Sequence, residues 1–127
     1  SSENYLVRVG FAENTLTSDR DMFDFMKGQL AAHPELALGG PTLRWLNESL
    51  REMRKLAQMP SPTLPCTTFL GSDEAIVEPS AIKSRMPTWT NGTLHMLAGG
   101  RHETMMETPK IRAEVFDAAT ALFDAHR

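Results

Sequence analysis

The chain has 127 residues, 41% of them hydrophobic, one cysteine and a formal net charge of -3. That is enough apolar content for one modest core. Its 13 basic residues are interspersed with 16 acidic ones, so there is no basic surface of the kind that neutralises phosphates, which argues against nucleic acid as a partner.

Residues 1–15 combine the strand-like alternation Tyr5-Leu6-Val7-Arg8-Val9 with Gly10 and a loop at Asn14. Ser18 is a good N-cap, Asp19 and Asp21 suit the positive end of a helix, and Met22, Phe23, Met26 and Leu30 fall on one face, so a helix is predicted over 19–32. His33-Pro34 stops it. After a breaker-rich connection, Leu43, Leu46, Leu50, Met53 and Ala57 repeat at alternating spacings and predict a second amphipathic helix over 41–58. Three prolines between 59 and 65 then force an extended path into an apolar run, predicted as a strand over 66–71. Pro79 suits a first helical turn, and Pro87 closes that helix near Met86. Asn91-Gly92 turns the chain into a second strand over 93–98, and Thr108-Pro109 opens a last helix with Ile111, Val115, Ala119, Leu122 and Phe123 on one stripe. The strand-helix-strand-helix order beyond residue 60 implies a parallel pair with a right-handed crossover. The expected division is a helical region over 1–59 and an α/β region over 60–127.

Each predicted strand ends in small residues and delivers chemistry at its carboxyl edge, where open α/β sheets place their sites. The first leads through Gly71-Ser72 to Asp73 and Glu74, and the second through Gly99-Gly100-Arg101 to His102. A carboxylate followed by an imidazole is the tail of a nucleophile-acid-histidine order. From the residues alone, either Asp73 or Glu74 can be the acid, and both also read as an ordinary acidic turn before the helix at Pro79. His33, His95 and His126 match no motif and read as structural or solvent-facing. No two histidines show metal-ligand spacing, and the lone Cys66 reads as a small buried hydrophobe. Met22, Phe23, Phe25, Met26, Trp45 and Met53 could line an acyl-chain pocket, although such residues are more often simple core.

Leu70-Gly71-Ser72-Asp73-Glu74-Ala75-Ile76-Val77-Glu78-Pro79 resembles the acid segment of α/β-hydrolases, and Gly100-Arg101-His102-Glu103 with Met106-Glu107 resembles their histidine segment. Residues 14–46 resemble the cap helices of bacterial lysophospholipases and monoacylglycerol lipases, so the resemblance covers most of residues 14–126. It implies an incomplete α/β-hydrolase fold, a helical cap pair followed by two parallel strands with covering helices. It also implies hydrolysis of a carboxylic ester, a lysophospholipid or monoacylglycerol, without a cofactor or metal. The family's register selects Glu74 as the acid and leaves Asp73 as runner-up, with His102 as general base; Met22, Phe23, Met26 and Trp45 are the candidate substrate-binding positions of the cap.

One part of the pattern is missing. The family's serine sits on a G-x-S-x-G elbow, and no such pattern occurs in these 127 residues. The expectation is therefore a C-terminal part of a longer hydrolase whose nucleophile lies outside this chain, inactive alone and prone to bind the missing part or a second copy of itself. Relatives with an aspartate nucleophile, such as epoxide hydrolases and dehalogenases, share the same C-terminal order. A different class of function, a non-catalytic module that binds a partner helix through the 43/46/50/53 stripe, is the alternative. With no signal peptide and no apolar stretch of ~20 residues, the expected location is cytoplasmic, with peripheral association at the inner membrane as an option.

Overall fold

A computed structural model describes residues 4–126. The chain opens with α1 (Tyr5–Arg8), a single helical turn in which the Asn4 side chain accepts the Leu6 amide. This replaces the strand-like reading of the Tyr5–Val9 alternation; of the wider 1–15 segment, residues 1–3 lie outside the described part. Among the described residues the alternation has no strand to pair with. Instead the Tyr5 hydroxyl is engaged by the Thr15 backbone and side chain, which fixes the turn against the following loop.

Helix α2 (Arg20–Ala32) begins one residue later than its sequence pattern suggests, and its cap is Asp19, whose carboxylate accepts the Met22 amide. Ser18, the expected cap, is engaged elsewhere. Phe23 turns inward and meets Phe11 edge-on, with ring centroids 5.6 Å apart. After a 3₁₀ turn at Pro34–Leu36, α3 (Leu43–Gln58) starts at Thr42, whose hydroxyl oxygen accepts the Trp45 amide. Pro41 stays outside the helix. Every residue of α3 except Ser49 is exposed, so its apolar stripe faces no core among the described residues.

The two strands are β1 (Cys66–Gly71) and β2 (Gly92–Leu97), paired parallel from Cys66 opposite Gly92 to Gly71 opposite Leu97. Between them, α4 (Pro79–Arg85) carries proline in its first turn and Glu78 as its cap, then tightens into a 3₁₀ turn at Met86–Thr88. Helix α5 (Pro109–Asp124) covers the sheet. Its Ile111 and Val115 pack with Leu97 of β2 into a buried cluster flanked by Phe69 of β1. Phe123, expected on the same stripe, is exposed. Cys66 is half-buried rather than enclosed, because it starts a strand with an open edge. The architecture is thus α/β, two parallel strands with helices. Among the described residues no helix is long and apolar enough to cross a membrane.

Candidate active site

Parallel pairing puts both strand carboxyl ends on the same edge, so the loops after β1 and β2 leave side by side. Their approach is unusually close. A Cβ on Gly71 would lie 2.1 Å from the Gly100 carbonyl oxygen and 2.6 Å from that of Arg101, both of them backbone atoms that cannot yield. Hydrogen bonds stitch the loops together: the Ser72 amide donates to Leu97, the Asp73 amide to Gly100, and the Gly99 amide to the Ser72 hydroxyl. Gly99 turns the second loop with φ at 76°, in the left-handed region that favours glycine.

From this seam Glu74 and His102 meet. Glu74 Oε2 lies 2.8 Å from His102 Nδ1, while Oε1 accepts the amides of Ile76 at 2.6 Å and Val77 at 3.1 Å. The longer glutamate side chain thus folds back on its own loop with one oxygen and presents the other to the ring. Burial of the Glu74 carboxyl pushes its pKa up, but the two backbone donors together with the hydrogen bond and charge of His102 outweigh it, so the group lies below its ordinary value of 4.5. An ionised carboxylate only accepts, so His102 Nδ1 carries the hydrogen and Nε2 is the ring nitrogen left for proton exchange. The Glu74 side chain is 4% exposed and that of His102 30%, which leaves the imidazole within reach of a reacting group.

Asp73 is directed differently. It is exposed and accepts the Ser72 hydroxyl, and its backbone serves the seam between the loops. The remaining histidines are scattered: His33 pairs with Glu35 at the surface, His95 lies tilted against Phe69, and His126 is exposed near the end of α5. Among the described residues no group of three or more His, Cys, Asp and Glu side chains could hold a metal ion. The candidate acyl-contacting residues lie apart in exposure. Phe23 is 2% exposed and serves as core, Met22 and Met26 are half-buried, and Trp45 stands on exposed α3. Phe25 and Met53 are exposed as well.

What sequence reasoning missed is how the histidine loop is held. Thr17 and Glu107 are fully buried, and the Ser18 amide and hydroxyl both donate to the Glu107 carboxylate. The polar spacing of Asn14, Thr17 and Ser18 gave no local signal of these bonds, because their partners lie far along the chain.

Two parallel strands packed against α5, with the loops after both strands leaving on one edge, form an α/β fold of the kind seen in α/β-hydrolases. A solved structure shares that fold. A soluble variant of monoglyceride lipase from Saccharomyces cerevisiae, solved with a substrate analog, superimposes with a TM-score of 0.69 at 20% identity, over 94% of this chain and 42% of that one. In sequence the chain resembles a probable lysophospholipase L2 of Haemophilus influenzae, 24% identical over 103 residues that make up 80% of this chain and 33% of the relative. It also resembles the lysophospholipase L2 of Escherichia coli, 25% identical over 124 residues, or 91% of this chain and 36% of that protein. The chain spans about a third of the length of these curated relatives. No protein-family model matches it.

Proposed function

We propose that this chain supplies the acid and the base of a Ser-His-acid triad that hydrolyses a carboxylic ester of a lysophospholipid or monoacylglycerol. The observation that carries the reading is the Glu74 to His102 contact of 2.8 Å on the carboxyl edge of a parallel strand pair. His102 Nε2 takes the proton of a serine as its oxygen attacks the ester carbonyl, and then returns that proton to the departing alcohol. Glu74 holds the Nδ1 hydrogen and stabilises the imidazolium formed in between. A water molecule, activated by the same histidine, releases the fatty acid from the acyl-serine. The serine itself is assigned outside these 127 residues, which contain no G-x-S-x-G elbow. The names of the relatives support the ester class, and Met22, Met26 and Trp45 are the positions from which a cap would select the acyl group, with Phe23 as packing behind them.

The test is an assay of fatty-acid release from a lysophospholipid and a monoacylglycerol by the natural protein, with its intact mass measured in parallel. His102→Ala in that protein should lower kcat by about four orders of magnitude or more, as loss of a triad base does. The 127-residue chain alone should turn over no ester above its His102→Ala control. Covalent labelling of a serine within this chain by an organophosphorus probe would overturn the placement of the nucleophile. Labelling of an aspartate by substrate instead would reassign the protein to the epoxide hydrolase and dehalogenase type.

A further inference from the structure

Glu107 is a carboxylate wholly removed from water, which is costly unless hydrogen bonds replace its hydration. Four donors do so. Oε1 accepts the amides of Ser18 at 2.9 Å and Arg101 at 2.8 Å, and Oε2 accepts the Ser18 hydroxyl at 2.5 Å and the Thr108 amide at 3.2 Å. These donors belong to three separate segments: the loop that enters α2, the residue before His102, and the cap of α5. Around the carboxylate, the Thr17 hydroxyl donates to the Met106 carbonyl, and Arg101 Nη1 donates to the carbonyls of Asn14 and Thr17. The same α2 entry loop reaches the histidine directly, since the His102 amide donates to Thr15 and the Glu103 amide to Leu16. The backbone on each side of His102 is therefore anchored, at Arg101 by Glu107 and at Glu103 by Leu16.

We propose that Glu107 is a positioning residue for His102, its buried carboxylate gathering Ser18, Arg101 and Thr108 so that the imidazole is delivered to Glu74. This rests on the reading of His102 and Glu74 as a base and its orienting acid. The hydrogen bonds of the Glu107 carboxylate go to backbone amides and the Ser18 hydroxyl, not to the imidazole, so it acts through the backbone it holds. The geometry calls for a carboxylate in particular, because three of the four partners are backbone amides that can only donate and they fall on both oxygens, so each oxygen must accept. Glutamine keeps the shape but turns an amino group toward one pair of donors.

The test is proton NMR of the 127-residue chain at neutral pH, following the downfield resonance of the His102 Nδ1 hydrogen, assigned by its disappearance in Glu74→Gln. It should be lost in Glu107→Gln and weakened in Ser18→Ala, which removes one of the four donors. It should persist in Val115→Ala, a core variant of the same helix, studied at a temperature where all variants give dispersed amide spectra. If Glu107→Gln does not fold, Ser18→Ala decides the matter in the same way. Retention of the resonance in the folded Glu107→Gln and Ser18→Ala chains would overturn the positioning role. Equal loss in Val115→Ala would also overturn it, by reducing Glu107 to a general stabiliser. Absence of the resonance from the unaltered chain would instead overturn the acid-base pair itself, and the positioning role with it.

Discussion

At Gly71 a single hydrogen atom in place of a methyl group lets the acid and histidine loops touch. The obstacle to any larger residue is the backbone of Gly100 and Arg101; Gly100 is bonded to Asp73, and the adjacent Leu97 and Gly99 are bonded to Ser72, so relief would require parting the two loops. Gly71→Ala should therefore destabilise the chain by about 2–3 kcal/mol, at the upper end of overpacking costs, as read by urea unfolding. Glu74 leads to a pH dependence. Its folded pKa lies below the ordinary value of 4.5, so its contribution to stability is complete above that value and is lost as pH falls through the folded value. The stability difference between the unaltered chain and Glu74→Gln should accordingly be largest at neutral pH and shrink as the pH is lowered below 4.5. A difference that stays constant across that window would show that the carboxylate charge is not what stabilises the loop.

Elements differ in how they use their apolar faces. Leu97 of β2 is 1% exposed and packs against Ile111 and Val115 of α5, whereas Leu46 on α3 is 44% exposed. Leu97→Ala should cost about 2–5 kcal/mol through lost burial and a residual cavity, and Leu46→Ala should stay within about 0.5 kcal/mol in the 127-residue chain. Parallel thermal or urea melts of the two variants check both values. Helix α3 also explains why periodicity alone is an incomplete guide. Its stripe at Leu43, Leu46, Leu50 and Met53 is as regular as that of α5, so the helix is legible, but a stripe carries no label for what covers it. The start of α2 was legible for a similar local reason, while the choice between Ser18 and Asp19 as cap depended on Glu107, far along the chain.

For the whole molecule, the sheet has only two strands among the described residues, so each presents one unpaired edge. A two-stranded sheet is marginal by itself, and unpaired edges beside exposed apolar surface promote association. Such surface is present at Leu43, Leu46, Leu50 and Met53 of α3 and at Ile76, Val77 and Met96 near the strand ends. At micromolar concentration the 127-residue chain should run as a dimer or larger species by light scattering. A clean monomer would mean that the α3 stripe and the strand edges are covered by the chain's own segments in solution.

The sequence by itself determined α2 to α5, the two strands, their order and the succession of acid and histidine, because amphipathic period, proline position and glycine turns act over a few residues. Tertiary structure alone decided that Tyr5–Arg8 is a helical turn and that α3 is left open. It likewise decided that Glu74 faces the imidazole while Asp73 faces solvent, and that Glu107 gathers Ser18 and Arg101. Each of those outcomes depends on which segments the parallel pairing and the α2 entry loop bring into contact. A hydrogen bond between residues 18 and 107 leaves no trace in the local pattern of either.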